Sequence, residues 1–447
     1  MLTILPGGAL YSGSTGQVNL NAAGVTLNGG GQVFGQIDVF ASTAAAQTTV
    51  QGLSIILPGV GNGIELRNAS TEVLISDVTL TQGGGPTTNG VVIPTGTSAR
   101  ILASSIQGHN NGVRVAGGKA LIQGTNLSNN TPGSNSAGLW VGGQGAVDAG
   151  QITTVAFLGF AGAGPLTSNG RNTFNGYSAA DQGVINANAD GPGPQGVGGP
   201  VSDVMAQCNV WNGLDTTTIA TPGNFNYTAI EGVVTHDVDQ ATRGFVNYVK
   251  PASASPTLIA VRYYNETDAE PVGQRSMIRL FNFAFDNFVV GVNGGVTVTK
   301  VASVFDTRTG STVYGNLTLV PKGTGFNPQT GQFRHEFSFS RAAGLTESSG
   351  SLVDGNYTFS INPSLIRALN NAGPGAAIGG TVPVSFHRLF GDVNGDAKVN
   401  AADQAVFNGA LRSRRGMASY VSYLDFNLDS FIDTTDGTQF QRRFGLY

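Results

Sequence analysis

The sequence predicts a mainly β protein in three parts: a parallel β-helix, an antiparallel β-sandwich and a small α-helical module at the C-terminus. The composition is the first observation, because 66 of the 447 residues are Gly and only 11% are charged. Glycine readily adopts the positive φ angles of tight turns, so this composition is typical of a protein with many short strands. The second observation is a repeat of apolar segments in the first half, and the third is a pair of acidic loops near the end.

The repeat consists of apolar segments led by glycine. They are GIEL at 63–66, GVVI at 90–93, GVRV at 112–115 and GLWV at 138–141, at spacings of 27, 22 and 26 residues. A second set of apolar segments, out of phase with the first, occupies 73–78, 101–106 and 122–127. Short strands at this period are expected for successive coils of a β-helix, since each coil buries its apolar face only against its neighbours. Each segment of the second set has a polar residue just before its last apolar residue: Asp77, Ser105 or Asn126. We expect these polar residues to stack along the axis of the β-helix.

The alternative for this half is a β-sandwich, whose strands recur about every 8–12 residues without a longer period. The longer period favours a β-helix, which we place at residues 1–252, with irregular last coils at 172–177, 184–191 and 204–213. This pattern resembles the right-handed parallel β-helix (pectin-lyase-like) superfamily over about residues 1–250. The segment 232–251 resembles the closing strands of bacterial members.

The resemblance raises catalysis as an alternative function, because many members of this superfamily cleave or bind polysaccharides. Polygalacturonase-like members carry Asn-Thr-Asp, Asp-Asp and Gly-His-Gly motifs, since hydrolysis needs an acid and a base flanking one bond. The chain has neither of the first two and only GHN at 108–110. The acids of residues 48–150 are Glu65, Glu72, Asp77 and Asp148, and the bases are Arg67, Arg100, Arg114 and Lys119.

Glu65 and Arg114 occupy comparable outward positions on their strands, so they can line one face of the β-helix. A solvated face is the expected interpretation of this pair. His109 is expected in a turn, and His236 is too isolated in the sequence to be assigned as a base. We therefore assign no catalytic residue, and a polysaccharide lyase or glycoside hydrolase stays the alternative to a binding protein.

The middle of the chain, residues 256–386, changes to alternating apolar strands. Segments with a period of two occupy 257–265, 276–290, 296–305, 312–320, 333–340 and 356–361. This number of strands suggests a sandwich, and the segments 274–286 and 351–361 resemble the Ig-like modules of bacterial surface proteins. Arg334, His335 and Glu336 cannot converge on one site, because alternate side chains of a strand point to opposite faces. We expect this part to be a spacer.

Two loops near the C-terminus carry oxygen-bearing residues at matching positions of a 12-residue frame. The frame starts at Asp392 in the first loop and at Asp425 in the second. Positions 1, 3, 5, 7, 9 and 12 are Asp392, Asn394, Asp396, Lys398, Asn400 and Asp403, then Asp425, Asn427, Asp429, Phe431, Asp433 and Asp436. This is the ligand order of an EF-hand-type Ca²⁺ loop, in which position 7 binds through its main-chain carbonyl.

Three further features of the two loops carry predictions. Position 8 is apolar in both, Val399 and Ile432, so we expect the loops to bridge each other through a short β contact. Four and eight residues past each position 12 come Phe407 and Leu411, then Phe440 and Phe444, on one face of a following helix. Position 6 of an EF-hand is glycine because it needs positive φ, whereas here it is Ala397 or Ser430, at a cost of about 1 kcal/mol. Gly395 at position 4 is expected to relax the first loop.

The stretch GDVNGDAKVNAAD at 391–403 is close to the GDxNxDxxVNxxD pattern, and residues 388–447 resemble a type I dockerin module. The resemblance implies two bound Ca²⁺ ions, folding on metal and a cohesin-like partner. Positions 10 and 11, where many dockerins carry partner-reading polar residues, are Ala401-Ala402 and Thr434-Thr435. Docking and a stand-alone Ca²⁺-stiffened cap therefore both stay open. A group of arginines is expected to solvate the helix ends or to meet an acidic partner: Arg412, Arg414, Arg415, Arg442 and Arg443.

Bulk properties narrow the function classes. The net charge of −4 gives no electrostatic footprint for nucleic acid, and no apolar run of about 18 residues is present, so we expect no membrane span. The single cysteine, Cys208, cannot form an internal disulfide. Residues 1–16 lack the features of an export signal, so we expect that upstream sequence is missing. The prediction is a monomeric, secreted or cell-surface modular binding or adhesion protein, associated with carbohydrate.

Overall fold

The computed structural model describes residues 1–446 apart from 12–15, 60, 83–88, 131–135, 152–157, 179–181, 189–203, 220–224, 237–242, 244–245, 250–254, 268, 288, 303–312, 369–376 and 380–383. At 290, 293, 302, 324 and 368 it describes the main chain only. The chain divides into two compact units. The first holds Met1–Ala254, Phe326–Gln332 and Ala368–Ala376, and the second holds Ser255–Gly325, Phe333–Arg367 and Ala377–Tyr447.

The first unit is built from three parallel sheets that the chain visits in turn. The nine-stranded sheet contains Leu2–Ile4, Thr26–Gly29, Thr49–Gln51, Val73–Ser76, Ser98–Leu102, Lys119–Gln123, Ala146–Asp148, Val204–Met205 and Val246–Asn247. The eight-stranded sheet contains Gln17–Leu20, Gln36–Val39, Ile64–Leu66, Asn89–Pro94, Asn111–Ala116, Ala137–Gly142, Gln182–Asn186 and Val234–Thr235. The five-stranded sheet contains Ala9–Tyr11, Gln32–Phe34, Ser54–Leu57, Thr79–Gln82 and Ser105–Gln107.

Smaller elements complete this unit. A three-stranded sheet contains Thr173–Phe174, Val210–Trp211 and Leu214–Asp215, and two short helical turns follow at Thr216–Thr218 and Thr228–Glu231. Parts of the predicted coils 184–191 and 232–251 lie outside the described residues.

The four predicted repeat segments form adjacent strands of the eight-stranded sheet. The strands from GIEL, GVVI, GVRV and GLWV are neighbours in it, in chain order and in register. Ile64, Val91, Val113 and Leu139 stack inward and are fully buried. The parallel β-helix predicted from the 22–27-residue period is thus confirmed, because each coil covers the apolar face of its neighbour.

Polar residues at equivalent corners do stack along the axis, as predicted, although one of the three predicted members is absent and another column is present. Asn89 donates to Asn62 and accepts from Asn111, both over 2.8 Å between side-chain amides. Ser105 and Asn126 are bridged in a second column. Asp77 is not in that column, since Thr79 is the partner of Ser105. Asp77 instead takes a left-handed corner with φ 52°, so its predicted stacking is wrong.

The second unit has two antiparallel four-stranded sheets. One runs in the order Leu258–Tyr264, Leu280–Phe285, Gln332–Phe339, Leu319–Asn327, and the other in the order Gly315–Leu317, Val296–Ala302, Gly355–Ile361, Val384–Arg388. Smaller elements are the strand pair Val289–Val290 with Arg367–Ala368, and the short helix Val292–Gly295. The C-terminal part adds helices Ala401–Ala410 and Thr434–Arg443 and a 3₁₀ turn at Ser422–Leu424.

Aromatic side chains fill the space between the two four-stranded sheets. Phe281 meets Phe359 edge to face at 5.1 Å between ring centroids, and Phe359 stacks on Phe386 at 4.9 Å. His335 points inward and is buried, whereas Arg334 and Glu336 beside it are only half-buried. Antiparallel sheets were predicted for this region, while the Ig-like assignment stays a prediction.

The domain boundaries at 252–256 and at 386–388 also stay predictions. The break between the two compact units falls at 254–255, and the sandwich and the C-terminal module share the second unit. No helix in the described part of the chain is both long and apolar enough to cross a membrane.

Candidate functional site

The two C-terminal loops end in the same way, because positions 9 and 12 cap the helix that follows. Asn400 and Asp433 at position 9 are the N-cap residues of Ala401–Ala410 and Thr434–Arg443. Each main-chain N–H at position 9 donates back to the carboxylate at position 12, over 2.9 Å to Asp403 and 2.8 Å to Asp436. These capping boxes satisfy amides that a helix start leaves unpaired.

Both loops turn through left-handed residues at positions 4 and 6. Position 4 is Gly395 with φ 80° and Leu428 with φ 59°. Position 6 is Ala397 with φ 63° and Ser430 with φ 74°. The positive φ predicted for position 6 is present in both loops although neither residue is glycine.

Each loop folds around the carboxylate at position 1, which is fully buried. Asp392 accepts from the main-chain N–H groups of Gly395 and Ala397, over 2.6 and 3.0 Å. Asp425 accepts from those of Asp429 and Ser430, over 3.2 and 2.8 Å. The chain therefore wraps around one carboxylate in each loop, and the amide at position 6 donates to it in both.

The side chains at positions 3 and 5 are held in place by hydrogen bonds within each loop. Asn394 and Asp396 in the first loop, and Asn427 and Asp429 in the second, are joined by Asx turns in which each side chain accepts from the amide two residues on. The carboxylates at position 12 also accept from position 2, over 3.0 Å for Asp403 and 2.8 Å for Asp436. Each loop thus carries its carboxylate and amide oxygens within 12 residues, on side chains fixed by loop amides.

Burial and mutual repulsion disfavour ionisation at position 12. Burial raises the pKa of Asp403, and the neighbouring carboxylates of Asp392 and Asp396 add to the shift. Burial also raises the pKa of Asp436 to about 6, again with neighbouring carboxylates adding to it. A bound divalent cation would remove this penalty, since an opposite charge favours the ionised form.

The donor chemistry fits Ca²⁺, a hard cation that takes six to eight oxygen ligands on a flexible loop. Of the side chains that the structure describes, no three from His, Cys, Asp and Glu converge as a ready-made ligand cluster. The frame instead mixes carboxylates with amide and carbonyl oxygens, and its carboxylates already accept loop amides.

The β contact predicted between the two loops is wrong. Val399 pairs with the segment after the second helix, donating to Leu446 and accepting from Gly445. Ile432 pairs with the segment after the first helix, donating to Ser413 and accepting from Arg412. Each loop is therefore tied to the end of the other loop's helix, an exchange that the local sequence does not encode.

The predicted apolar face of the helices is half right. Phe407 and Phe440 are buried and stack at 4.7 Å between ring centroids. Leu411 and Phe444, however, are the C-cap residues that follow each helix, and both are 37% exposed. Each helix therefore ends one residue before this position, and Leu389, Phe390 and Leu424 complete the core.

Several contacts to the candidate site come from residues that the sequence did not single out. His387 lies 2.7 Å from Asp392, between Nε2 and Oδ2, and Tyr420 donates to Asp425 over 2.7 Å. The carbonyl of Asp392 accepts from the main-chain N–H of Arg275 over 2.9 Å. His387 and Tyr420 each lie five residues before the carboxylate that they contact, whereas Arg275 is distant in sequence and is brought in by packing.

A buried ion-pair cluster joins the sandwich to the C-terminal module within the second unit. Asp354 is fully buried and accepts from Arg388 over 2.7 Å and from Arg443 over 2.5 Å. Glu347 lies 3.2 Å from Arg388 and 3.7 Å from Arg443. Arg443 was predicted either to solvate a helix end or to meet an acidic partner; it is 4% exposed and pairs with Asp354 of the sandwich.

On the β-helix, the structure places Glu65 and Arg114 on one face, with Val92 between them in register. Glu65 forms an ion pair with Arg67 at 2.7 Å. The Arg114 guanidinium lies over the ring of Trp140, 4.8 Å from its centroid. The face therefore carries charged and aromatic groups, but Glu65 is paired with Arg67 and Arg114 lies against Trp140.

The other candidates of the β-helix lie in separate networks. Glu72 pairs with the fully buried Arg100 at 2.9 Å, and the amides of Ala161 and Gly162 also donate to it. Although burial acts to raise it, these hydrogen bonds lower the pKa of Glu72 overall. Burial raises the pKa of Asp148 to about 7.

The two histidines of this half are both buried. Burial lowers the pKa of His109 to about 4. His236 lies 3.4 Å from Glu231, between Nε2 and a carboxylate oxygen. Nothing among the described residues brings these groups together with Glu65 or Arg114 into a pair flanking one bond.

The family model of the dockerin type I domain matches residues 390–444. The match contains both loops and both helices, so the C-terminal module is a dockerin type I domain. Domains of this family bind Ca²⁺ and dock to cohesins. A comparison of the chain with curated proteins found no match.

Proposed function

We propose that the chain is an extracellular modular binding protein whose C-terminal module binds two Ca²⁺ ions and docks to a cohesin-type partner. The observation that carries the proposal is the agreement between the two loops in φ at positions 4 and 6 and in the wrapping of the position-1 carboxylate. In the proposed sites, side chains bind at positions 1, 3, 5, 9 and 12, and Lys398 and Phe431 bind through their carbonyls. Bound Ca²⁺ balances the negative charge of these carboxylates.

Calorimetric titration of the chelator-treated full chain with Ca²⁺ tests the metal sites. We expect about two ions per chain, and about one for either Asp392→Ala or Asp425→Ala, because each substitution removes the central carboxylate of one loop. Asp77→Ala is the matched control, since Asp77 is an exposed acid of the β-helix. A stoichiometry that neither loop substitution changes would overturn the assignment.

Docking is supported by the exposure of positions 10 and 11 in both loops, Ala401, Ala402, Thr434 and Thr435. These residues begin the two helices and leave their first turns open to a partner. The test is binding of the full chain to an immobilised panel of type I cohesins with and without chelator. Ca²⁺-dependent capture supports docking; intact Ca²⁺ binding with no capture by any cohesin would favour a stand-alone cap.

For the β-helix, we propose that the face carrying Glu65, Arg114 and Trp140 contacts carbohydrate. The indole ring of Trp140 offers an apolar surface, while Arg114 beside it and Glu65 on the same face offer hydrogen bonds to hydroxyls. Binding to a polysaccharide panel should weaken on Arg114→Ala or Trp140→Ala, and unchanged binding would contradict this contact. If the purified chain released unsaturated or reducing ends from a polysaccharide, the function of this face would be cleavage and not binding alone.

A further inference from the structure

The outer face of the sandwich carries a cavity of about 560 Å³ that the functions above do not use. It lies where the strand Leu258–Tyr264 ends, Leu280–Phe285 begins and Gln332–Phe339 ends. Its volume is in the range of small-ligand sites. The residues used below all belong to the second unit.

Three cations line this cavity: Arg279, Lys322 and Arg341. Within the described residues, none of the three side chains forms an ion pair or a side-chain hydrogen bond. The two acids of the lining are engaged elsewhere, since Glu266 pairs with Arg415 and Glu336 accepts from Tyr264 over 2.6 Å. Because Glu266 is paired with Arg415 and Glu336 offsets only one of the three cations, the cavity keeps an excess of positive charge.

Two buried polar groups at the cavity also lack hydrogen-bond partners among the described residues. Both amide atoms of Asn265 and the hydroxyl of Ser349 are in this state, and these residues are 1% and 6% exposed. Burying such groups unpaired costs about 1–3 kcal/mol each, so an unpaired buried amide needs an explanation. A ligand that supplies both donors and acceptors would provide the missing partners.

We propose that this cavity binds a carboxylate-bearing saccharide. The cations fit a carboxylate, for which the guanidinium of Arg279 is suited to two parallel hydrogen bonds. Asn265, Ser349 and Glu336 fit hydroxyl groups, because together they offer both donors and acceptors. Leu280 and Phe339 add apolar surface to the lining. A simple inorganic anion would use the cations but leave the amide oxygen of Asn265 without a donor.

The test is calorimetric titration of the full Ca²⁺-loaded chain with digalacturonate, with galactobiose as the neutral counterpart and sulfate and phosphate as simple anions. We expect digalacturonate to bind at least tenfold more tightly than the other three. Arg279→Ala and Arg341→Ala should each weaken it by on the order of tenfold, the size of a lost charge-assisted hydrogen bond.

Asn265→Asp, which is nearly isosteric, should also weaken binding because it puts a carboxylate where the ligand brings its own. Arg114→Ala on the β-helix separates the two proposed saccharide contacts and should leave this binding unchanged. Equal affinity for galactobiose, equal affinity for sulfate or phosphate, or loss on Arg114→Ala alone would each overturn the proposal.

Discussion

Removing the carboxylate of Asp354 should destabilise the second unit while leaving the first unaffected. Asp354 is fully buried, and three groups donate to it: Arg388, Arg443 and the main-chain N–H of Phe390, over 2.7, 2.5 and 2.9 Å. Asp354→Ala leaves two buried guanidinium groups without this partner, a change that typically costs 3–5 kcal/mol. Glu347 stays within reach of both arginines. We therefore expect the lower end, about 3 kcal/mol.

The assay must resolve the two units, because a chain with two units need not unfold in one step. Both tryptophans, Trp140 and Trp211, lie in the first unit, so their fluorescence in a urea titration reports that unit alone. Hydrogen exchange of the strand Gly355–Ile361 and the helix Thr434–Arg443 reports the second. We expect faster exchange in both segments together, with the tryptophan transition unmoved.

Two arginines that are adjacent in sequence provide the matched control for this prediction. Arg443→Met should cost nearly as much as Asp354→Ala, since it removes one partner of the same buried cluster. Arg442→Met changes an exposed residue and should cost less than about 0.5 kcal/mol. The reasoning would be refuted if Asp354→Ala and Arg442→Met had the same effect, or if exchange rose in the helix but not in the strand.

Two further predictions concern loop strain and a buried histidine. Ala397 and Ser430 hold positive φ angles of 63° and 74°, which cost a non-glycine residue about 1 kcal/mol. Ala397→Gly or Ser430→Gly should remove this strain, so competition with a Ca²⁺ indicator should show about fivefold tighter binding. Weaker binding would argue against strain at position 6. Burial lowers the pKa of His335 to about 4, below its ordinary 6.5, so the unfolded chain takes up the proton first. Stability of the second unit should therefore fall as pH drops from about 6.5 towards 4, by about 2 kcal/mol at pH 5. His335→Phe should flatten this part of the profile, and an unchanged slope in urea titrations would contradict the assignment.

Features whose residues lie close together in the chain could be predicted from the sequence. Each 12-residue loop contains its own oxygen-bearing residues and its left-handed position 6, so local spacing was enough to predict them. The capping pairs and the left-handed Leu428 were not predicted. The β-helix was equally accessible, because every coil repeats the same short apolar strand and packs on the next one. Even the alternation of Arg334, His335 and Glu336 followed from the pleat of a single strand.

Features built from distant segments could not be predicted in this way. Val399 and Ile432 each pair with the segment that follows the opposite loop's helix. This pairing depends on how the two helices pack on each other through Phe407 and Phe440. The burial of Arg443 was not predicted for the same reason, since its partner Asp354 is 89 residues away and no local signal separates it from the exposed Arg442.

The amino-acid sequence by itself determined the coil repeat, the two loops and the metal that their oxygens suit, because these depend on side chains within one or two turns of chain. Only the tertiary structure decided that the module and the sandwich share one buried ion-pair cluster, and that three cations surround one cavity. The physical reason is that burial and charge pairing are properties of the packed interior. They arise when segments meet, and the spacing along a single segment carries no record of that meeting.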